Sequence, residues 1–155
     1  MTRGTYSLSS DITLPCMCAS FRRAARVLTQ VYDDALRPMG LRVTQFTILQ
    51  ALSLAGEVSQ GELGQLLAMD STTLTRTLRL MRHWIEERPG KDRRERWLRL
   101  SAAGQKQLKR AEVPWQALQG RLRSSFGAAR WREMLQVATE ISHTEAKPNP
   151  SLGQK

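Results

Sequence analysis

Cys16 and Cys18 are the only cysteines in the sequence, and one methionine separates them in "LPCMCASFRR". Three chemistries suit such a pair. A thiol at a helix N-terminus has a lowered pKa and oxidises readily to a sulfenic acid, and Arg22 and Arg23, one turn on, favour the thiolate. Two thiolates also attract a soft metal such as Cu(I), Hg or As(III), although two sulfurs alone leave that site incomplete. Third, free cysteine often serves as a small side chain buried in an interface. A disulfide closed across a single residue is strained, and His83 and His143 are the only imidazoles. The residues leave the three readings open and call for no resident metal or cofactor.

A second group lies at "DSTTLTRTLRLMRHW". At helical spacing Leu74, Leu78, Met81 and Ile85 form an inward stripe. Thr72, Arg76, Arg79 and His83 fall opposite, flanked by Thr73 and Thr75, with Ser71 at the start. This face carries hydroxyls and guanidiniums and no carboxylate, whereas a solvated helix face usually mixes signs. Hydroxyls contact phosphates or bases, and arginine forks onto guanine. Lys91, Arg93, Arg94 and Arg96 crowd the stretch that follows.

Formal net charge is +10, and nineteen of the 24 basic residues are Arg, the side chain suited to bidentate phosphate contact. Residues 71 to 110 hold 12 basic and 4 acidic groups. Charge concentrated in this way is the footprint of a polyanion partner. No aromatic stacking platform lies on the basic face, which disfavours RNA. No apolar run approaches the roughly 18 residues needed to cross a bilayer, and the first 13 residues lack a basic-then-apolar leader pattern. The expectation is a cytoplasmic protein with no membrane partner.

The elements that position these groups are mainly helical. Residues 1–13 read as a loose arm. From Pro15 the residues Phe21, Ala24, Leu28, Val31 and Ala35 recur at helical spacing until Pro38-Met39-Gly40. Thr44 reads as the N-cap of a second helix carrying Phe46, Leu49 and Leu52, and Val58 as a brief extended residue. Ser59-Gln60-Gly61-Glu62 reads as a capping box opening a short helix to about Met69. Asp70 caps the next helix, which the spacing extends to Trp84. Two short helices with a three-residue joint are a helix-turn-helix signal. A hairpin follows, with strands Ile85–Arg88 and Arg96–Leu100 and a basic tip, and this order is that of a winged helix. The wing tip suits the narrow minor groove, whose negative potential attracts arginine. A long helix from Ser101 to about Ser125, interrupted by Pro114, precedes a last helix with Trp131, Leu135, Ala138 and Ile141. Trp84 and Trp97 are expected around the wing, Trp115 and Trp131 along the long helices.

Four stretches in order resemble the MarR family of bacterial transcriptional regulators, over residues 15 to 143. They are "LRPMGLRVTQFTILQAL", "LGQLLAMDSTTLTRTLRLM" with its Thr75-Arg76 pair, "DRRERWLRLSAAG", and the Pro114 helix with its short successor. The third fits the family's wing signature at Asp92, Arg94, Leu98, Leu100, Ser101 and Gly104. The resemblance implies a winged helix-turn-helix with a two-stranded β wing on a stem formed by the N- and C-terminal helices. Its organisation would be an arm (1–13), a dimerisation helix (14–40), a DNA-binding region (41–101), linking and dimerisation helices (102–143) and a tail (144–155). It implies a homodimer on a pseudo-palindromic double-stranded DNA operator, with Ser71, Thr72, Thr73, Thr75, Arg76, Arg79, Arg93, Arg94 and Arg96 as contacts. Arg94 would enter the minor groove while Asp92 steadies the wing. Most members repress transcription and release DNA when a small molecule or oxidant acts on the dimer. One branch senses organic hydroperoxides through a cysteine near the start of its first helix. Cys18 matches that place, and Tyr32 resembles a tyrosine that holds the thiolate. Arg22 and Val43 stand where that branch has further tyrosines, and Cys16 has no counterpart in it.

Nothing in the sequence marks an enzyme: there is no Gly-rich phosphate loop, H-E-x-x-H or nucleophile elbow. Two alternatives remain. One is a peroxidase-like or soft-metal-reactive protein working through Cys16 and Cys18, and the other is a winged-helix protein-interaction module.

Overall fold

The computed structural model describes residues 15–92 and 95–144. The expected arm, residues 145–155 of the expected tail, and Arg93 and Arg94 lie outside the described residues. The elements run α1 (Met17–Leu36), a 3-10 turn (Arg37–Met39), α2 (Val43–Ala55), β1 (Glu57–Ser59), α3 (Gln60–Leu66), α4 (Ser71–Leu80), β2 (Ile85–Pro89), β3 (Arg96–Leu100), α5 (Ala102–Phe126) and α6 (Ala128–Thr144).

Several boundaries follow from local chemistry. Ser59 Oγ accepts the Glu62 N–H at 3.2 Å, and the Glu62 carboxylate accepts the Ser59 N–H at 3.1 Å. This reciprocal box starts α3. Its end is a Schellman closure, with Met69 N–H on the Gly64 carbonyl and Ala68 N–H on that of Gln65. The left-handed position falls on Ala68, at φ 49°, although glycine is the usual residue there. Asp70 then caps α4: its carboxylate accepts the Thr73 N–H at 2.8 Å and the Thr73 hydroxyl at 2.6 Å.

Other boundaries depart from the expectation. The helix begun near Pro15 starts at Met17, with Cys16 as its N-cap residue. Thr44 is not the cap of α2, which begins one residue earlier. Asp33, ten residues back on α1, accepts the Val43 N–H at 2.7 Å, and Gln45 Oε1 accepts that of Arg42 at 2.9 Å. The cap therefore comes from another helix. Likewise α4 stops at Leu80 rather than Trp84. Met81 and Ile85 are still buried as expected, but from a turn and from β2, and His83 leaves the helix face to lie beside Trp84, ring centres 4.2 Å apart.

The hairpin gains a third strand, because the extended segment at Val58 pairs with β3 and gives the antiparallel order β1-β3-β2. The register alternates sides: Val58, Leu98 and Glu87 share the inner face, while Glu57, Arg99 and Glu86 share the outer one.

One core joins the end of α1, α2, α3, α4, the inner sheet face and the first half of α5. Phe46 and Trp115 meet within it, centroids 5.6 Å apart. Gln107, a buried polar side chain of α5, donates to the Met39 carbonyl at 2.6 Å and pins the 3-10 turn. α5 continues through Pro114. Beyond this core the apolar residues stay uncovered: Met17, Phe21, Val27 and Leu28 on α1, and Met134, Leu135, Val137 and Ile141 on α6, are exposed in the single chain.

Candidate nucleic-acid interface

α3 and α4 form the helix-turn-helix, packed through Leu63 and Leu74 and joined by a side-chain hydrogen bond. Gln60 Nε2 donates to Thr75 Oγ1 at 2.9 Å, so the half-buried Thr75 hydroxyl is engaged with α3. Thr73 is tied into the α4 cap. Ser71, Thr72, Arg76 and Arg79 stand exposed on α4, and no described carboxylate pairs with either arginine. Leu74 and Leu78, buried on the other side, fix which way that face points.

The sheet approaches α4 from across an open cleft. Ser71, Thr75 and Arg79 line one wall, Glu87, Asp92, Glu95 and Arg96 the other, with Gln60 and Gln65 of α3 at its margin. The structure thus brings together Ser71, Thr75, Arg79, Asp92 and Arg96 from the sequence reading. Thr72, Thr73 and Arg76 share their helix. Gly90 N–H donates to the Glu95 carbonyl at 2.8 Å, and Glu95 N–H to that of Asp92 at 2.9 Å, which closes the hairpin around its tip.

The wing is fixed at its root by contacts between segments far apart in sequence. Ser101 Oγ accepts the Gly104 N–H at 3.0 Å, starting α5, and donates to the His83 carbonyl at 3.1 Å. Ser101 N–H donates to the Trp84 carbonyl at 3.0 Å. A Cβ on Gly104 would stand 2.1 Å from that carbonyl oxygen, so only glycine lets α5 approach the turn after α4.

Arg88, Arg96 and Arg99 lie close together in the sequence of the hairpin, and the structure places them on different faces. On the outer face Arg88 reaches across β3 to Glu57, Nε to Oε1 at 2.6 Å, with its guanidinium 5.5 Å from the Trp97 ring centre. Arg99 Nε donates to Glu86 at 2.8 Å. The hydrogen bond from Arg88 holds the Glu57 carboxyl below its ordinary range, and the same bond raises Arg88. On the inner face Arg96 lies 3.5 Å from Glu87. Glu62 and Asp70 are also lowered, first by hydrogen bonds from Ser59 and Thr73. Gln60, Glu57, Glu86 and Glu87 were not singled out from sequence; register would have flagged the last three once β1 was placed.

Cys16 and Cys18 are both free thiols and both exposed at the start of α1. Tyr32 sits on the same helix, where burial raises its pKa. Fourteen residues of continuous helix put it about 21 Å from Cys18, so one chain cannot bring the pair into contact. Among the described residues no cluster of three or more His, Cys, Asp or Glu side chains exists to hold a metal, and no helix is long and apolar enough to cross a membrane.

No family model matches the sequence. An uncharacterised HTH-type transcriptional regulator of Bacillus subtilis (strain 168), YwoH, is 26% identical over 106 residues, 67% of this chain and 77% of that protein. The M. tuberculosis transcriptional regulator MosR, crystallised in complex with DNA, superposes with a TM-score of 0.72 at 34% identity, over 84% of this chain and 98% of its own. MarR from E. coli, in its apo form, shares the fold with a TM-score of 0.64 at 20% identity, over 84% of this chain and 98% of that one. With a third of the aligned residues identical to MosR, across 84% of this chain and nearly all of that one, the chain belongs to the MarR family of transcriptional regulators.

Proposed function

We propose that this regulator binds double-stranded DNA as a homodimer on a pseudo-palindromic operator, represses transcription, and is released by a small-molecule or thiol-reactive signal. The observation that carries the reading is the α4 face, where Arg76 and Arg79 project beside Ser71 and Thr72 with no partner among the described carboxylates. Unpaired guanidiniums on the second helix of a helix-turn-helix suit a major groove. Arg96, on the sheet across the cleft from α4, adds a further cation for the flanking minor groove. The DNA complex of MosR supports the same reading. The large apolar residues left uncovered on α1 and on α6 support a second copy as their cover, since burying apolar surface is the main drive to association. A dimer then carries two reading heads at fixed spacing, and any ligand that shifts their separation changes DNA affinity. Cys16 and Cys18, exposed at the stem end, are the groups for a thiol-reactive signal.

Fluorescence anisotropy on duplex DNA from upstream of the protein's own gene tests this, with reduced protein against protein treated with an organic hydroperoxide. Tight binding by reduced protein, lost in Arg76→Ala/Arg79→Ala, is expected; no binding at low salt overturns the DNA reading. Release on oxidation that Cys18→Ser abolishes assigns the signal to that thiol. Binding indifferent to oxidant removes the thiol signal and leaves a small molecule. Sedimentation is expected to show a dimer that Leu135→Glu converts to monomer, and a monomeric wild type refutes the dimer. A reporter behind the same upstream DNA is expected to fall when the protein is supplied; a rise makes it an activator.

A further inference from the structure

Five ion pairs join described side chains, and they are not equally tight. Arg88 grips Glu57 through two nitrogens, and Arg99 holds Glu86 at 2.7 Å through a second nitrogen. Both pairs lie on the outer sheet face. Arg42 and Asp33 close at 2.9 Å beside the α2 cap, and Arg37 pairs with Asp34 one turn away on the surface. Arg96 and Glu87 are the exception at 3.5 Å, with side chains 62% and 42% exposed. They are also the pair that faces α4, in the cleft lined by Ser71, Thr75 and Arg79. A loose, solvated pair of this kind is easily exchanged for another partner.

We propose that Glu87 is a brake on sequence-independent DNA affinity, its carboxylate competing with backbone phosphate for Arg96. This inference rests on the DNA-binding reading above. While Arg96 is paired with Glu87 its charge is already neutralised, so docking it on a phosphate gains little. Drawing it away leaves a carboxylate facing a phosphate in the same cleft, which is repulsive. In the paired state the counterion release that drives sequence-independent binding is reduced by about one phosphate contact, a slope of about 0.9 in log K against log salt, and in the drawn-away state the repulsion weakens binding instead. Glu86 carries the same charge one residue away, but its side chain belongs to the other face and to Arg99. It is therefore the internal control for net charge.

The experiment is anisotropy with a fluorescein-labelled duplex of mixed sequence, titrated at several salt concentrations between about 50 and 200 mM, the range over which such contacts are resolved. Wild type, Glu87→Gln, Glu86→Gln, Arg96→Ala and Glu87→Gln/Arg96→Ala are compared. Glu87→Gln is expected to steepen the salt slope by about 0.9 and to tighten binding about eightfold at 0.1 M salt, the factor that one such contact contributes relative to 1 M. Glu86→Gln is expected to leave both unchanged, and the double variant to match Arg96→Ala. Three results overturn the brake while leaving DNA binding intact: no change in Glu87→Gln, an equal change in Glu86→Gln, or a gain that survives Arg96→Ala. A wild type that binds no duplex at the lowest salt overturns the DNA reading, and this inference with it.

Discussion

Gly104→Ala is a single methyl group placed where α5 passes the turn after α4. The new Cβ would lie 2.1 Å from the Trp84 carbonyl oxygen and 3.0 Å from its carbon. The obstacle is backbone, and that carbonyl already accepts the Ser101 N–H, so α5 and the turn must separate. Forced overpacking of this size costs about 1–3 kcal/mol, and stretching the Ser101 hydrogen bond adds about 1 kcal/mol. Alanine returns at most about 1 kcal/mol through helix propensity. The net loss is about 1–3 kcal/mol, or roughly 3–10 °C in Tm for a chain of this length. The assay is thermal unfolding followed by circular dichroism at a fixed protomer concentration, because an assembling protein has a concentration-dependent Tm. Gly61→Ala supplies the contrast: it sits in α3 with no atom within 4 Å of the new Cβ, and is expected to hold Tm or raise it. A Gly104→Ala protein as stable as wild type would refute the argument that this glycine exists for close approach.

Three further outcomes follow from the same contacts. Ala68→Gly removes a left-handed alanine and is expected to stabilise by about 1 kcal/mol; a lower denaturant midpoint contradicts this. Gln107→Leu leaves the Met39 carbonyl without its 2.6 Å donor and is expected to cost about 1–3 kcal/mol in chemical denaturation, with no loss refuting the pin. Glu57, Glu62 and Asp70 all titrate below their ordinary values when folded. Their stabilisation is therefore complete above the unfolded values of 4.5 for Glu and 3.8 for Asp and disappears as pH falls through the folded ones. The denaturant midpoint is expected to hold from neutrality to about pH 5 and then fall, and less steeply in Glu57→Gln/Glu62→Gln/Asp70→Asn. Equal steepness in that variant refutes the assignment.

Where the chemistry is local, the sequence was enough. The Ser59 and Asp70 caps, the buried stripe through Leu74 and Leu78, and the hairpin after α4 all depend on residues within a few positions of one another. Readings failed where the partner comes from far away. The start of α2 is set by Asp33 across ten residues, and a scan for caps beside the helix settles on Thr44 instead. β1 has three residues, too few to show alternation, and becomes a strand only because β3 offers it an edge. The end of α4 is similar: the apolar period continues through Met81 and Ile85, yet past Leu80 the chain tightens into turns, Met81 N–H on the Leu78 carbonyl and Trp84 N–H on that of Met81, and the carbonyls of His83 and Trp84 go to Ser101. For the same reason Gly104 is quoted easily as part of a pattern, while its physical role appears only when Trp84 is placed against it.

The charge of residues 71 to 110 makes the same point about function. Residues 71 to 110 carry 12 basic groups, and counted along the chain all of them seem equivalent. Folding sorts them. Arg88 and Arg99 are paired with Glu57 and Glu86 on the outer sheet face, where they link the three strands. Arg76 and Arg79 stand exposed on α4 with no described carboxylate paired to them, and Arg96 stands between the two groups, close to a carboxylate without being locked to it. The carboxylates responsible, Glu57, Glu86 and Glu87, lie on strands β1 and β2, and Glu57 sits outside the basic stretch altogether. Net charge thus counts the arginines without telling which of them stay unpaired. The strand register makes that distinction, since one step along β2 moves a glutamate from the outer face to the cleft.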